Sequence, residues 1–239
     1  MISMIPVVDY RFGDKYYVTE FVRPYTFMVK TVAKTLKGKN DVETVIKVAR
    51  FIRDEFYYPL DIFKNPSCDA MFLKSRKFCY SWHFKKYVNY MWLFPSECLL
   101  MKFGICIDTS LLCTSILRSL GLFSYVGLGA VYYKDRLLGY HAWTEVYIPS
   151  KVDWYIIETT IHEKNVSNIL RREEAYKGSY DIRYEIFARF NEKEYEEVKP
   201  ILTWIQFYGK KWKKVRAKER NKQIVIWSTF KQISPLIGV

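Results

Sequence analysis

Residues 106–161 constrain the fold more than any other stretch, because the hydrophobic period changes there once, and abruptly. From Cys106 to Leu120 the apolar residues 112, 116, 117 and 120 fall on one face of a helix, which Gly121 ends. Three runs that read as strands follow: 123–133 (FSYVGLGAVYY), 138–148 (LGYHAWTEVYI) and 154–161 (WYIIETTI). Only KDRL and PSKVD separate them, so neighbouring antiparallel pairing is the economical arrangement. A helix leading into an antiparallel sheet makes the fold class α+β.

The flanks add helices in front and a charged extension behind. Residues 24–37 (PYTFMVKTVAKTLK) open with proline, space apolar residues at 28, 32 and 36 and stop at Gly38, which predicts a helix. Next, NDVETVIKVARFIRDEFYYP offers Asn40 or Asp41 as N-cap and sets Val42, Val45, Ile46, Ala49, Ile52 and Phe56 at helical spacing. Residues 57–95 are dense in aromatics interleaved with lysine and show no clean period. After 162 the chain turns polar, with a further strand expected around 182–190. A helix is expected from about 200 to 220, carrying Ile201, Trp204, Ile205, Tyr208, Trp212 and Val215 on one stripe.

Composition bounds the class of protein. With 239 residues, 50% of them hydrophobic, the chain can bury a sizeable core. Asp9, Arg11 and Asp14 interrupt the N-terminal segment, so no secretory leader is expected. No uninterrupted apolar run reaches the ~18 residues of a membrane span. Five cysteines (68, 79, 98, 106, 113) without CxxC spacing argue for reduced thiols in a cytoplasm. The net charge of +13 is uneven: within 200–239, nine Lys and Arg face Glu219 alone. Basicity therefore belongs to the C-terminal extension.

The chemistry-bearing residues lie in the helix and the strands. A hairpin across 147–152 in symmetric register would pair 145 with 154, 143 with 156 and His141 with Glu158. Directly opposed residues share a face with Cβ atoms about 4.5–5.5 Å apart, so Glu158 could accept the imidazole N–H and fix its tautomer. Glu145 shares that face but lies roughly 13 Å along the strand. Cys106, at a helix start, feels the positive end of the helix dipole, and a nearby imidazolium would favour its thiolate. The backbone N–H of Cys106 could meet a developing oxyanion. Nucleophile, base and orienter in the order Cys, His, Glu suit acyl transfer through a thioester.

The runs FGICIDTSLLCTSILRSLGL, GYHAWTEVY and WYIIETT resemble the transglutaminase-like superfamily of papain-fold thiol enzymes, whose pattern is G-x-C-x-D, a helix ending L-G, H-A-W-x-E-V and W-x-x-x-D-x-T. The resemblance covers about 95–161, and the helix at 41–56 resembles the one preceding the catalytic segment in that family. It implies a papain-like core with N-terminal helices and an antiparallel sheet after the nucleophile helix, with Cys106 as nucleophile, His141 as base and Glu158 as third member. The usual third residue is aspartate; here it is Glu158. Trp82 and Trp92 stand upstream of the cysteine, where family members often use a side chain in the oxyanion hole, and no motif chooses between them. The catalytic domain is read as 1–199, with core motifs at 95–161 and an aromatic-rich insert at 57–95, and 200–239 as a basic extension.

The leading functional reading is a thiol enzyme acting on a protein or peptide amide, with no cofactor and no metal. Water as acceptor makes it a peptidase or amidase; an amine makes it a crosslinking transglutaminase. With no calcium-loop pattern and no large flanking domains, a hydrolase is favoured. The rival is a binding module on a degenerate thiol fold, in which the aromatic 57–95 segment and the basic residues 210–222 hold nucleic acid or another anionic surface. Cys113 reads as packing, Asp108 as a helix N-terminal stabiliser, and His83 and His162 as surface residues. HEKNV at 162 fails the H-E-x-x-H zinc pattern, and Cys68, Cys79, His83 and Cys98 have no zinc spacing. Oligomeric state is not encoded in any of these features.

Overall fold

The structure, a computed structural model, describes residues 5–10, 14–56, 92–161 and 167–198. Two short strands, β1 (Val7–Asp9) and β2 (Lys15–Tyr17), form an antiparallel ribbon. Helices α1 (Phe27–Leu36) and α2 (Asp41–Glu55) follow, as their apolar spacing predicts. Asn40 is the N-cap of α2: its Oδ1 accepts the Glu43 N–H at 2.8 Å. A seven-residue helix that no periodicity announced, α3 (Pro95–Met101), precedes the long α4 (Cys106–Ser119). The chain then builds β3 (Ser124–Tyr133), β4 (Arg136–Ile148), β5 (Asp153–Ile157) and β6 (Ile169–Arg171). A short helix α5 (Arg172–Lys177) leads to β7 (Ile182–Phe190) and β8 (Tyr195–Glu197). The expected helix at 200–220, most of the aromatic insert and the basic extension lie outside the described residues.

The arrangement is α+β. Six strands in the order β6-β5-β4-β3-β7-β8 are antiparallel throughout. On one face Ala142, Thr144 and Val146 of β4 meet α4, which in turn packs against α2 and α3. On the other face Trp143 and Ile156 pack with Ala175 of α5. Sequence spacing assigned α4 a single buried face. In the structure every residue from Cys106 to Leu117 is buried, because helices cover one side of α4 and the sheet the other. Its polar residues are hydrogen-bonded there: Thr109 donates to Thr159 at 2.9 Å, Ser110 pairs with Thr159 at 3.1 Å and Ser115 donates to the Leu111 carbonyl at 2.7 Å. No described helix is long and apolar enough to cross a membrane.

Two corrections concern the β4–β5 hairpin. Its turn occupies 149–152, with Val152 in the left-handed region at φ 52°, and pairs Ile148 with Asp153 and Glu145 with Ile156. The symmetric register through 147–152 is therefore displaced by two residues, and Glu158 is not directly opposite His141. Strand β5 also ends at Ile157 rather than 161, because the Glu158 carboxylate accepts the Thr160 N–H and turns the chain out of the extended form. A two-residue shift preserves side-chain alternation, so Glu158 stays on the His141 face.

Candidate active site

The G-x-C-x-D run owes its spacing to the start of α4. Asp108, fully buried in the first turn, accepts the Ile105 N–H at 3.0 Å through Oδ2 and the Leu93 N–H at 2.8 Å through Oδ1. One carboxylate thus stabilises the helix start and holds the incoming chain beside it. Gly104 leaves room for it: a Cβ there would stand 2.7 Å from Asp108 Cβ and 3.2 Å from Cys98 Sγ. Cys106 is delivered as the first residue of the helix, 6% exposed, in an apolar cluster with Trp92, Ile107 and Phe190.

His141, in the middle of β4, is 7% exposed, and its Nε2 lies 2.8 Å from Glu158 Oε2 and 3.0 Å from Oε1. That occupation leaves Nδ1 as the nitrogen available to Cys106, which acts on the ring as both a hydrogen-bond and a charge partner. Burial disfavours the charged ring, but Glu158 and Cys106 outweigh it and raise the His141 pKa to about 10. Burial likewise opposes ionisation of Glu158. The positive His141 and hydrogen bonds from His141, Thr160 and Tyr184 still hold its carboxyl below the usual range. The carboxylate is fully buried and takes Thr160 N–H at 3.0 Å and Thr160 Oγ1 at 2.7 Å on Oε1, and Tyr184 OH at 2.8 Å on Oε2. Asn168 reads the same segment from below, its carbonyl accepting the Glu158 N–H at 2.8 Å.

Cys106, His141 and Glu158, singled out by spacing and by the family resemblance, lie together. Sequence reasoning missed Tyr184 and Thr159. Thr159 joins the strand end to the first turns of α4, and neither residue carries a local pattern. Cys113 is packed away, burial raising its thiol pKa to about 12 despite a hydrogen bond with Thr144. Cys98 is buried as well, and the cysteines among the described residues are free thiols. Glu145 is fully buried but belongs to a separate cluster, bonded by Arg172 at 3.1 Å and by Tyr176. Trp92 is 3% exposed and stacked on Phe190, with ring centroids 6.0 Å apart. Trp82, His83, His162, Cys68 and Cys79 lie outside the described residues. Among the described residues no group of three His, Cys, Asp or Glu could hold a metal ion.

A family profile described as a transglutaminase-like domain matches residues 28–171. Among solved structures, Legionella pneumophila LapG is similar at 14% identity over 80% of this chain and 86% of that one, with a TM-score of 0.47. A candidate cysteine protease of Cytophaga hutchinsonii is similar at 16% identity over 64% of this chain, with a TM-score of 0.38. A structure described as a TGase is similar at 15% identity over 59%, with a TM-score of 0.33. The chain spans 44% of the Cytophaga protein and 31% of the TGase. No curated protein matches it.

Proposed function

The chain belongs to the family of transglutaminase-like domains, and from that premise we propose that it is a thiol-dependent enzyme that attacks an amide of a protein or peptide. The observation that carries the reading is the 2.8 Å contact of His141 Nε2 with a buried carboxylate, which leaves Nδ1 for the thiol at a helix start. Three groups, from the start of α4, from β4 and from the turn after β5, converge there largely screened from solvent, an arrangement in which Glu158 holds the His141 ring charged beside the thiol.

In the proposed reaction the Cys106 proton moves to His141 Nδ1, and the sulfur bonds to the amide carbon. The resulting oxyanion meets backbone N–H groups of the first α4 turn, which have no intrahelical acceptor. The imidazolium returns its proton to the departing amine as the C–N bond breaks, leaving a thioester. Water, deprotonated by His141, then releases the acid; a primary amine in its place would give a crosslink. Glu158 stabilises the imidazolium and keeps the ring turned toward sulfur. Hydrolysis is the favoured outcome, in a catalytic domain over 1–199 with 200–239 as a basic extension. The free thiols suit a reducing, cytoplasmic setting.

The test is labelling of the full chain with a peptide amide carrying a thiol-reactive group, followed by peptide mapping. A single adduct at Cys106, lost in His141→Ala, is expected; an adduct at Cys98 or Cys113 with Cys106 unmodified would overturn the reading. Peptide release without incorporation of a fluorescent primary amine separates hydrolase from crosslinking enzyme.

A further inference from the structure

Glu158 is longer by one methylene than the aspartate of the family pattern, and a longer side chain has one more torsion to settle. A carboxylate that can rotate is a poor orienter, because the geometry it imposes on imidazole is only as fixed as itself. In this chain neither oxygen is left to rotate. Thr160 holds Oε1 through its N–H and hydroxyl, and the Tyr184 hydroxyl donates to Oε2 at 2.8 Å.

Tyr184 reaches Glu158 through a defect in the sheet. Strand β7 pairs with β3, two strands away from β5, and the β3–β7 register slips between Leu128 and Gly129. Leu128 faces Ala188 on one side of the slip, and Gly129 faces Ile186 on the other, so Phe187 is the extra residue. Without it Tyr184 and Ala188 would point to the same face. With it Ala188 packs beside Cys106 and Leu128, while Tyr184 packs with Trp143 and Ile156 on the face that carries Glu158. The ring is set edge-on against Trp143, with centroids 5.1 Å apart at 78°. Trp143 in turn lies over Gly127 and Gly129, where an added Cβ would stand 2.5 Å from its Nε1 and 2.7 Å from its Cη2 respectively. The glycines of VGLGAV thus admit the indole that positions the tyrosine.

We propose that Tyr184 is a positioning residue for the Cys106–His141 pair, its buried hydroxyl locking the Glu158 carboxylate against His141. This rests on the triad reading above. Burial and the facing carboxylate both raise the Tyr184 pKa, so the hydroxyl keeps its proton across the working range and remains a donor. A hydrogen bond donated to a carboxylate favours its charged form, so its loss lets Glu158 take a proton more readily and hold the imidazolium less firmly. His141 is then a weaker acceptor for the Cys106 proton.

The experiment is the pH dependence of Cys106 alkylation by iodoacetamide in the full chain, for wild type, Tyr184→Phe, Glu158→Gln and the double variant. For Tyr184→Phe we expect a three- to tenfold slower reaction at pH 6–7, an acid limb moved to higher pH, and rates converging at high pH. In the Glu158→Gln background the same substitution should change nothing further. If Glu158→Gln shifts the profile while Tyr184→Phe superimposes on wild type, the proposal fails and the triad stands. If Glu158→Gln leaves the profile unchanged, the triad reading fails first. Equal slowing by Tyr184→Phe with and without Glu158, or a Tyr184→Phe protein that does not fold, would make Tyr184 a core residue only.

Discussion

Glu158 stands two residues out of register with His141, and its side chain has to reach along the sheet to meet the ring. Continuing the observed pairing would set position 158 opposite Trp143, leaving His141 a diagonal neighbour, and diagonal neighbours lie ~7–8 Å apart before side chains reach out. The longer carboxylate spans that gap to 2.8 Å. A pH-dependent stability follows. A histidine whose folded pKa is raised contributes stability that is complete below its unfolded value of ~6.5 and is lost as pH rises toward the folded value. In a Cys106→Ala protein, where Glu158 is left to hold the ring charged without the thiol, urea stability should fall as pH rises above ~6.5, with a slope below the ~1.4 kcal/mol per pH unit of one full proton. Adding Glu158→Gln should flatten that slope. Two parallel profiles would mean that Glu158 does not hold His141 charged.

Strand β3 is the element on which the site is assembled, since it carries the glycines under Trp143 and the slip that turns Tyr184. A Cβ at Gly129 would stand 1.9 Å from the Glu185 carbonyl oxygen, a backbone atom that moves only if β3 and β7 separate. Gly129→Ala should therefore cost about 3 kcal/mol or more, at the upper end for overpacking. At Gly121, φ is +82° with open space around it, so Gly121→Ala should cost only ~1 kcal/mol, from backbone strain alone. Thermal melts of the two variants decide: equal shifts would show that the β3–β7 contact yields cheaply. The strands at 123–133 and 138–148 and their neighbouring pairing were legible from two strand-like runs with a short break between them; the place of β7 beside β3, and the edge strands β6 and β8, were not. The slip was not, because Phe187 sits in an ordinary alternating run and its extra place appears only against β3.

Charge is distributed at the scale of the whole molecule, with the +13 drawn mainly from 200–239 and the proposed triad and its tyrosine carried by 106–184. The two should be separable. Removing 210–239 is expected to weaken binding to heparin or anionic vesicles in a salt-dependent way while alkylation at Cys106 keeps its wild-type rate. A truncated chain that aggregates would show instead that Trp212, Val215 and IVIW at 224–227 help fill the core. Wild-type polyanion affinity after truncation would move the binding surface onto the catalytic domain.

Hydrophobic period, capping residues and three short motifs were enough to define a helix entering an antiparallel sheet and to single out Cys106, His141 and Glu158, because each of these signals is written within a few neighbouring residues. Tertiary structure alone decided which strand positions face one another, that α4 is buried all round, and which hydroxyl completes the carboxylate cradle. Register is set by the 149–152 turn together with the summed ladder bonds, and the partner of Glu158 arrives from residue 184, on a strand that joins the sheet beside β3 only in the folded molecule.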